Sequence, residues 1–150
     1  MPRRTRDKPA RAAGPVLVDA SAWLALLSLS DGRHMDAERA FIHLRERKAP
    51  LLTTNLIVAE VQRLLLFRVG GHAGRRFLAL LSSAPLLTLC FPGDREHTRA
   101  LAWLDRYPDQ SISYTDAVSF AVMEAARCRV ALSFDEDFSV AGFRLWQHDG

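Results

Sequence analysis

The chain is short of cysteine, short of lysine and without any long apolar run, and each shortage narrows what it can be. Its two cysteines, Cys90 and Cys128, stand far apart with no CxxC pair and no clustering with histidine, so neither a zinc site nor a disulfide framework is suggested. They read as buried, reduced thiols of a cytosolic protein. No apolar stretch approaches the roughly 20 residues that cross a bilayer. Basic residues followed by AWLALLSLS resemble a short secretory signal, but Asp19 interrupts the apolar segment and no small-x-small cleavage motif follows Ser30. The expectation is a cytoplasmic protein that contacts no membrane. Internal repeats and low-complexity segments are lacking too.

Lysine occurs only as Lys8 and Lys48, so the positive charge of the body is almost entirely arginine, the better fork for phosphate. The formal net charge is +3, but Arg3, Arg4, Arg6, Lys8 and Arg11 against Asp7 place +4 in the first 13 residues and leave the rest at −1. The basic balance therefore belongs to an N-terminal arm over residues 1–14, either a solvated tail or an arm that touches RNA or DNA. At 150 residues and 49% hydrophobic content, the chain suits one core and is too short for two, so residues 15–150 are expected to form a single domain.

Val16 to Val18 read as a buried strand after Gly14-Pro15 and end at Asp19. Helices are expected over 20–29 and 35–48, a strand over 50–53, a long apolar helix from Asn55 to Gly70-Gly71, and another over 72–83. Strands at 86–90, 130–133 and 143–146, a brief one at Ile112, and helices over 94–105 and 116–127 complete the pattern. Strands alternating with single or paired helices imply an α/β fold, with a central, largely parallel sheet flanked by helices.

Four acids stand where apolar segments give out: Asp19 in VLVDASAW, Glu60 in LIVAEV, Asp116 in YTDAVSF and Asp135 in VALSFDEDF. Carboxylates beside apolar runs are costly unless compensated, and a hard divalent cation compensates them. In open parallel sheets ligands gather outside the carboxyl ends of the strands, where Asp19, Asp116 and Asp135 fall. Plainer readings exist for each. Asp19 can cap the next helix, Ser113 with Asp116 and Ser133 with Glu136 fit capping boxes, and Glu60 can face solvent or pair with Arg63. Glu60 weighs against them, because Leu56, Ile57, Val58, Ala59 and Val61 surround it with apolar sequence. Oxygen-only donors favour magnesium or manganese over zinc, and phosphodiester hydrolysis is the natural chemistry of such a site.

VLVDASAWLALLS, LIVAEV, SYTDAVSFAVM and ALSFDEDFSVAGFRL, in this order, are similar to the PIN-domain ribonucleases, most closely the VapC-type toxins of bacterial toxin–antitoxin pairs. The similarity runs from Val16 to Trp146. It implies a PIN-like fold and a magnesium- or manganese-dependent endoribonuclease whose acidic quartet is Asp19, Glu60, Asp116 and Asp135. Asp19 and Asp116 would be the principal metal ligands, Glu60 would orient or deprotonate water, and Ser21 would steady the site. The fourth acid is open, since Asp137 follows Asp135 and alternation along an extended segment sends Asp135 and Glu136 opposite ways. The resemblance also implies an RNA substrate, a cognate antitoxin and a homodimer.

Outside the quartet, His34, His43, His72, His97 and His148 show no paired spacing and read as solvated or incidental. Trp23, Trp103 and Trp146 read as core or interface anchors, and Trp23, Leu27 and Phe41 as either core or a groove for an antitoxin helix. Arg63, Arg95, Arg99 and Arg144 are candidates for RNA phosphate. Rival functions are a PIN nuclease outside any toxin pair, a catalytically inactive PIN-fold binding module, and a phospho-acceptor domain. The last ordinarily needs a lysine late in the chain, and none follows Lys48.

Overall fold

A computed structural model describes residues 14–146; residues 1–13 of the expected arm, and His148, lie outside the described residues. Five strands form one sheet in the order β3-β2-β1-β4-β5, every neighbouring pair parallel. The strands are β1 (Val16–Val18), β2 (Leu51–Thr54), β3 (Leu87–Cys90), β4 (Val130–Leu132) and β5 (Arg144–Leu145). The helices are α1 (Ala20–Leu27), α2 (His34–Glu46), α3 (Asn55–Arg68), α4 (Gly71–Ser83), α5 (Asp94–Arg106), α6 (Tyr114–Ala125) and α7 (Asp137–Val140).

Parallel strands need crossovers, and right-handed crossovers place α1 to α4 on one face of the sheet and α5 to α7 on the other. With both faces covered, Val16, Leu17 and Val18 of the central strand are all buried. Trp23, Phe41 and Phe77 cluster on the first side, and Trp103, Phe120, Phe138 and Phe143 on the second. The strand order reverses beside β1. The loops after β1 and β4 therefore part there and leave a crevice at the carboxyl edge.

Several expected boundaries move. Ile112 lies in the segment between α5 and α6 and is not a strand; it packs, partly buried, against the core. The helix expected from Asp116 begins at Tyr114, because Ser113 accepts the Asp116 N–H at 3.1 Å and caps it. A short helix, α7, occupies 137–140 where no element was expected, anchored by the fully buried Phe138. The long apolar helix α3 is buried only at Ile57, Val61 and Leu65, one residue per turn. Gly74 lets α4 approach α3, since a Cβ there would meet Gln62 at 3.4 Å.

Candidate active site

Asp19 follows β1 directly, and its N–H donates to the Leu132 carbonyl at 3.0 Å, locking the ends of β1 and β4 together. It stands at the N-cap of α1 but makes no side-chain cap bond, so its carboxylate is free to face the crevice. Two serines hold it there: Ser133 Oγ donates to Oδ2 at 2.8 Å and Ser21 Oγ at 3.3 Å. Ser133 Oγ in turn accepts the Asp135 N–H at 3.0 Å, and Ser21 Oγ accepts the Phe134 N–H at 3.0 Å. The loop after β4 is thus tied to the acid after β1. Ser21 thus bridges Asp19 and the Phe134 backbone. Ser133 is spent on Asp19, and Glu136 is itself the N-cap residue of α7, so no capping box joins them.

Asp116 lies in the first turn of the almost wholly buried α6. Only its backbone serves the cap; its carboxylate turns into the crevice with those of Asp135 and Asp137. Oxygens of these three carboxylates lie within 4.8 Å of one another. Asp135 and Asp137 need not alternate, because the chain turns between them and Asp135 Oδ1 accepts the Asp137 N–H at 3.0 Å. Both enter the site. The choice between them dissolves, and sequence reasoning that sought a single fourth acid missed the pair. The i, i+2 spacing of DED was the available signal, readable once a turn replaces the strand.

Glu60 requires a correction of reason. It lines the same cleft of roughly 300 Å³ as Asp19, Asp116, Asp135 and Asp137, yet it is exposed, as is Ala59. The apolar residues around it in sequence point elsewhere on α3, so burial is not why a carboxylate there is informative. Nor does it pair with Arg63: the ion pairs among the described residues are His34–Glu38 and Arg99–Glu124.

Burial, and then the negative charge of its neighbours, sets the electrostatics. Asp116 is pushed up to about 7, first by desolvation and then by Asp19, Asp135 and Asp137. Desolvation also raises Asp19, against the Ser133, Ala20 and Ser21 hydrogen bonds that favour its charged form. Glu60 is raised by partial burial and by Asp19, and Asp137 by partial burial and by Asp135. Every shift is upward, so the crevice holds more negative charge than its own donors balance. Hard oxygens alone, close together and short of positive charge, fit a hard divalent cation.

No histidine lines this cleft. His34 Nδ1 is 2.8 Å from the Ala25 carbonyl and His97 Nδ1 is 2.9 Å from the Tyr114 hydroxyl. Trp23 and Trp103 are core residues, and Trp146 lies beneath the Arg47 guanidinium. Of the four arginines, Arg99 is taken up by Glu124, while Arg63 borders a second cleft that shares Glu60 with the first.

The chain matches the PIN domain family over residues 16–144. It is 36% identical over 128 residues to the 23S rRNA-specific endonuclease VapC20 of Mycobacterium tuberculosis, covering 85% of this chain and 95% of that protein. The crystal structure of Mycobacterium tuberculosis VapC20, described as a sarcin–ricin loop cleaving toxin, superposes with a TM-score of 0.76 at 34% identity, over 85% of this chain and 95% of that one. FitAcB from Neisseria gonorrhoeae shares the fold, with a TM-score of 0.60 at 13% identity over 88% of this chain and 96% of that one.

Proposed function

The chain belongs to the PIN-domain family, and from that membership and the acidic crevice we propose that it is a divalent-metal-dependent endoribonuclease, the toxin of a toxin–antitoxin pair. The observation that carries this reading is the convergence of Asp19, Glu60, Asp116, Asp135 and Asp137 on one cleft at the carboxyl edge of the sheet. Asp116, Asp135, Asp137 and Asp19 would hold the cation, magnesium or manganese. When bound, it supplies charge to polarise a phosphoryl oxygen and to lower the pKa of water.

The protein's own part is positioning and proton handling. Ser133 and Ser21 fix the Asp19 carboxylate toward the cleft, and the Leu132 carbonyl fixes its backbone. Glu60, exposed and with its carboxyl raised by partial burial and then by Asp19, would take the proton from the attacking water, since a raised pKa makes a carboxylate a better base. The walls of α6 and α1 keep Asp116 and Asp19 out of bulk solvent, and charge interactions are stronger in that lower dielectric than in water.

The substrate we propose is ribosomal RNA, in an accessible loop such as the sarcin–ricin loop of 23S rRNA, on which VapC20 acts by its name. The expected partners are an antitoxin and a second copy of the chain. Trp23 and Phe41, expected at an antitoxin groove, border an apolar cleft of roughly 410 Å³ with Ile42, Leu80 and Leu86; Leu26 lines it in place of Leu27.

The test is cleavage of ribosomal RNA and a sarcin–ricin hairpin in magnesium or manganese. Asp19→Asn and Asp116→Asn are each expected to lose about a hundredfold or more in kcat. A wild type inactive on both RNAs and on tRNA, or full activity in both variants, overturns the proposal.

A further inference from the structure

Beside the acidic cleft runs a second one of roughly 600 Å³, walled by α3 and by the start of α6. The two share Glu60 and Ser113, so they form one continuous trough. Along α3 the trough is lined by Glu60, Arg63 and Phe67, at positions i, i+3 and i+7, which fall on one face of a helix. Thr115 faces them from α6. Arg63 is the one cation among the residues lining either cleft, and among the described residues no carboxylate pairs with it. Phe67 is 77% exposed, the most exposed aromatic among the described residues.

A polyanion entering a crevice of five carboxylates needs a cation next to it, and an unpaired base needs a π-face. At about 1.5 Å of rise per residue, Phe67 lies on the order of 10 Å along the axis from Glu60, with Arg63 between them. We propose that Arg63 and Phe67 form a substrate subsite for the nucleotide flanking the scissile bond, Arg63 binding its phosphate and Phe67 stacking on its base. The subsite rests on the ribonuclease reading and adds to it the residues that seat the RNA. Both are binding residues beyond the acidic quartet, and neither is needed to hold the cation.

The experiment uses the full chain and ribosomal RNA, with KM and kcat measured for wild type, Arg63→Gln, Phe67→Ala and Phe67→Trp. Binding of a labelled sarcin–ricin hairpin to the same proteins carrying Asp116→Asn is followed by fluorescence anisotropy over a range of salt. Arg63→Gln and Phe67→Ala should each raise KM and Kd about tenfold with kcat nearly unchanged, and Phe67→Trp should restore binding. Arg63→Gln should also lower the slope of log Kd against log salt by about 0.7. Both Kd deficits should vanish when the RNA is trimmed at the scissile nucleotide on one side. Deficits that persist after trimming either side, or wild-type KM and Kd in both variants, overturn the subsite while leaving the nuclease standing. So does a change of oligomeric state in Phe67→Ala with unchanged RNA affinity, which would make this face a self-association surface. A wild type that neither binds nor cleaves these RNAs defeats the ribonuclease reading itself, and the subsite with it.

Discussion

A carboxylate with 5% of its surface exposed needs donors of its own, and Asp19 has them in Ser133 and Ser21. The more consequential donor is Ser133, because a single hydroxyl donates to Asp19 and accepts from the Asp135 backbone. It sets the spacing of acids that come from two different strands. Ser133→Ala should weaken activation by magnesium or manganese about tenfold or more at saturating RNA, as loss of a ligand's orienting partner does. Titration of activity against metal checks it; an unchanged activation midpoint would show that Asp19 needs no such support. Residue identity alone did not reveal this role, since a serine before DED reads equally well as a helix cap. Glu60 teaches the reverse lesson. Its position was legible, but the burial argument for it fails, because α3 fully buries only one residue per turn, half-buries Leu56, Val58 and Leu64, and leaves Ala59 and Glu60 exposed.

At the scale of elements, the acidic edge depends on strands that stop abruptly and helices that start at once. Thr54 ends β2 and caps α3, its Oγ1 accepting the Ile57 N–H at 3.2 Å, while the neighbouring Thr53 Oγ1 donates to the Val18 carbonyl at 3.3 Å. Thr54 thereby fixes the helix that carries Glu60, Arg63 and Phe67. Thr54→Val keeps the volume, removes the cap and should cost about 1 kcal/mol. Urea denaturation with an unchanged m-value measures it, and a loss below a few tenths would mean that α3 is held by packing alone. Most elements were readable from apolar periodicity and from Gly, Pro and Ser punctuation. Ile112 and α7 were not. A lone β-branched residue carries no period, and four helical residues are too few to show one, so tertiary contacts decided both.

For the whole molecule, the gathering of acids links folding to pH. The Asp116 carboxyl is pushed from an ordinary 3.8 up to about 7 in the folded chain. Between those values the folded protein keeps a proton that the unfolded chain has released. Folding stability without metal therefore falls as pH rises through that window and is level above it. Asp19, Glu60 and Asp137 shift in the same direction and add to the slope. Allowing for solvent screening, the effect is on the order of 1–2 kcal/mol. In chelator, the melting temperature should rise by a few degrees from pH 8 to pH 5.5, and Asp116→Asn should flatten that rise. A melting temperature that is constant or falls on acidification would contradict the crowding of charge described above. Among the described residues no helix is long and apolar enough to cross a membrane.

The sequence by itself determined the alternation of strands and helices, the single core and the candidates Asp19, Glu60, Asp116 and Asp135, because periodicity and the cost of isolated charge are local properties of the chain. Only the tertiary structure decided that Asp135 and Asp137 both line the acidic cleft, that Ser133 ties the two strand ends, and that α3 continues the cleft past Glu60 toward Arg63 and Phe67. Those facts depend on which way a turn bends and which helix face is left uncovered, and both are fixed by contacts between segments distant in sequence.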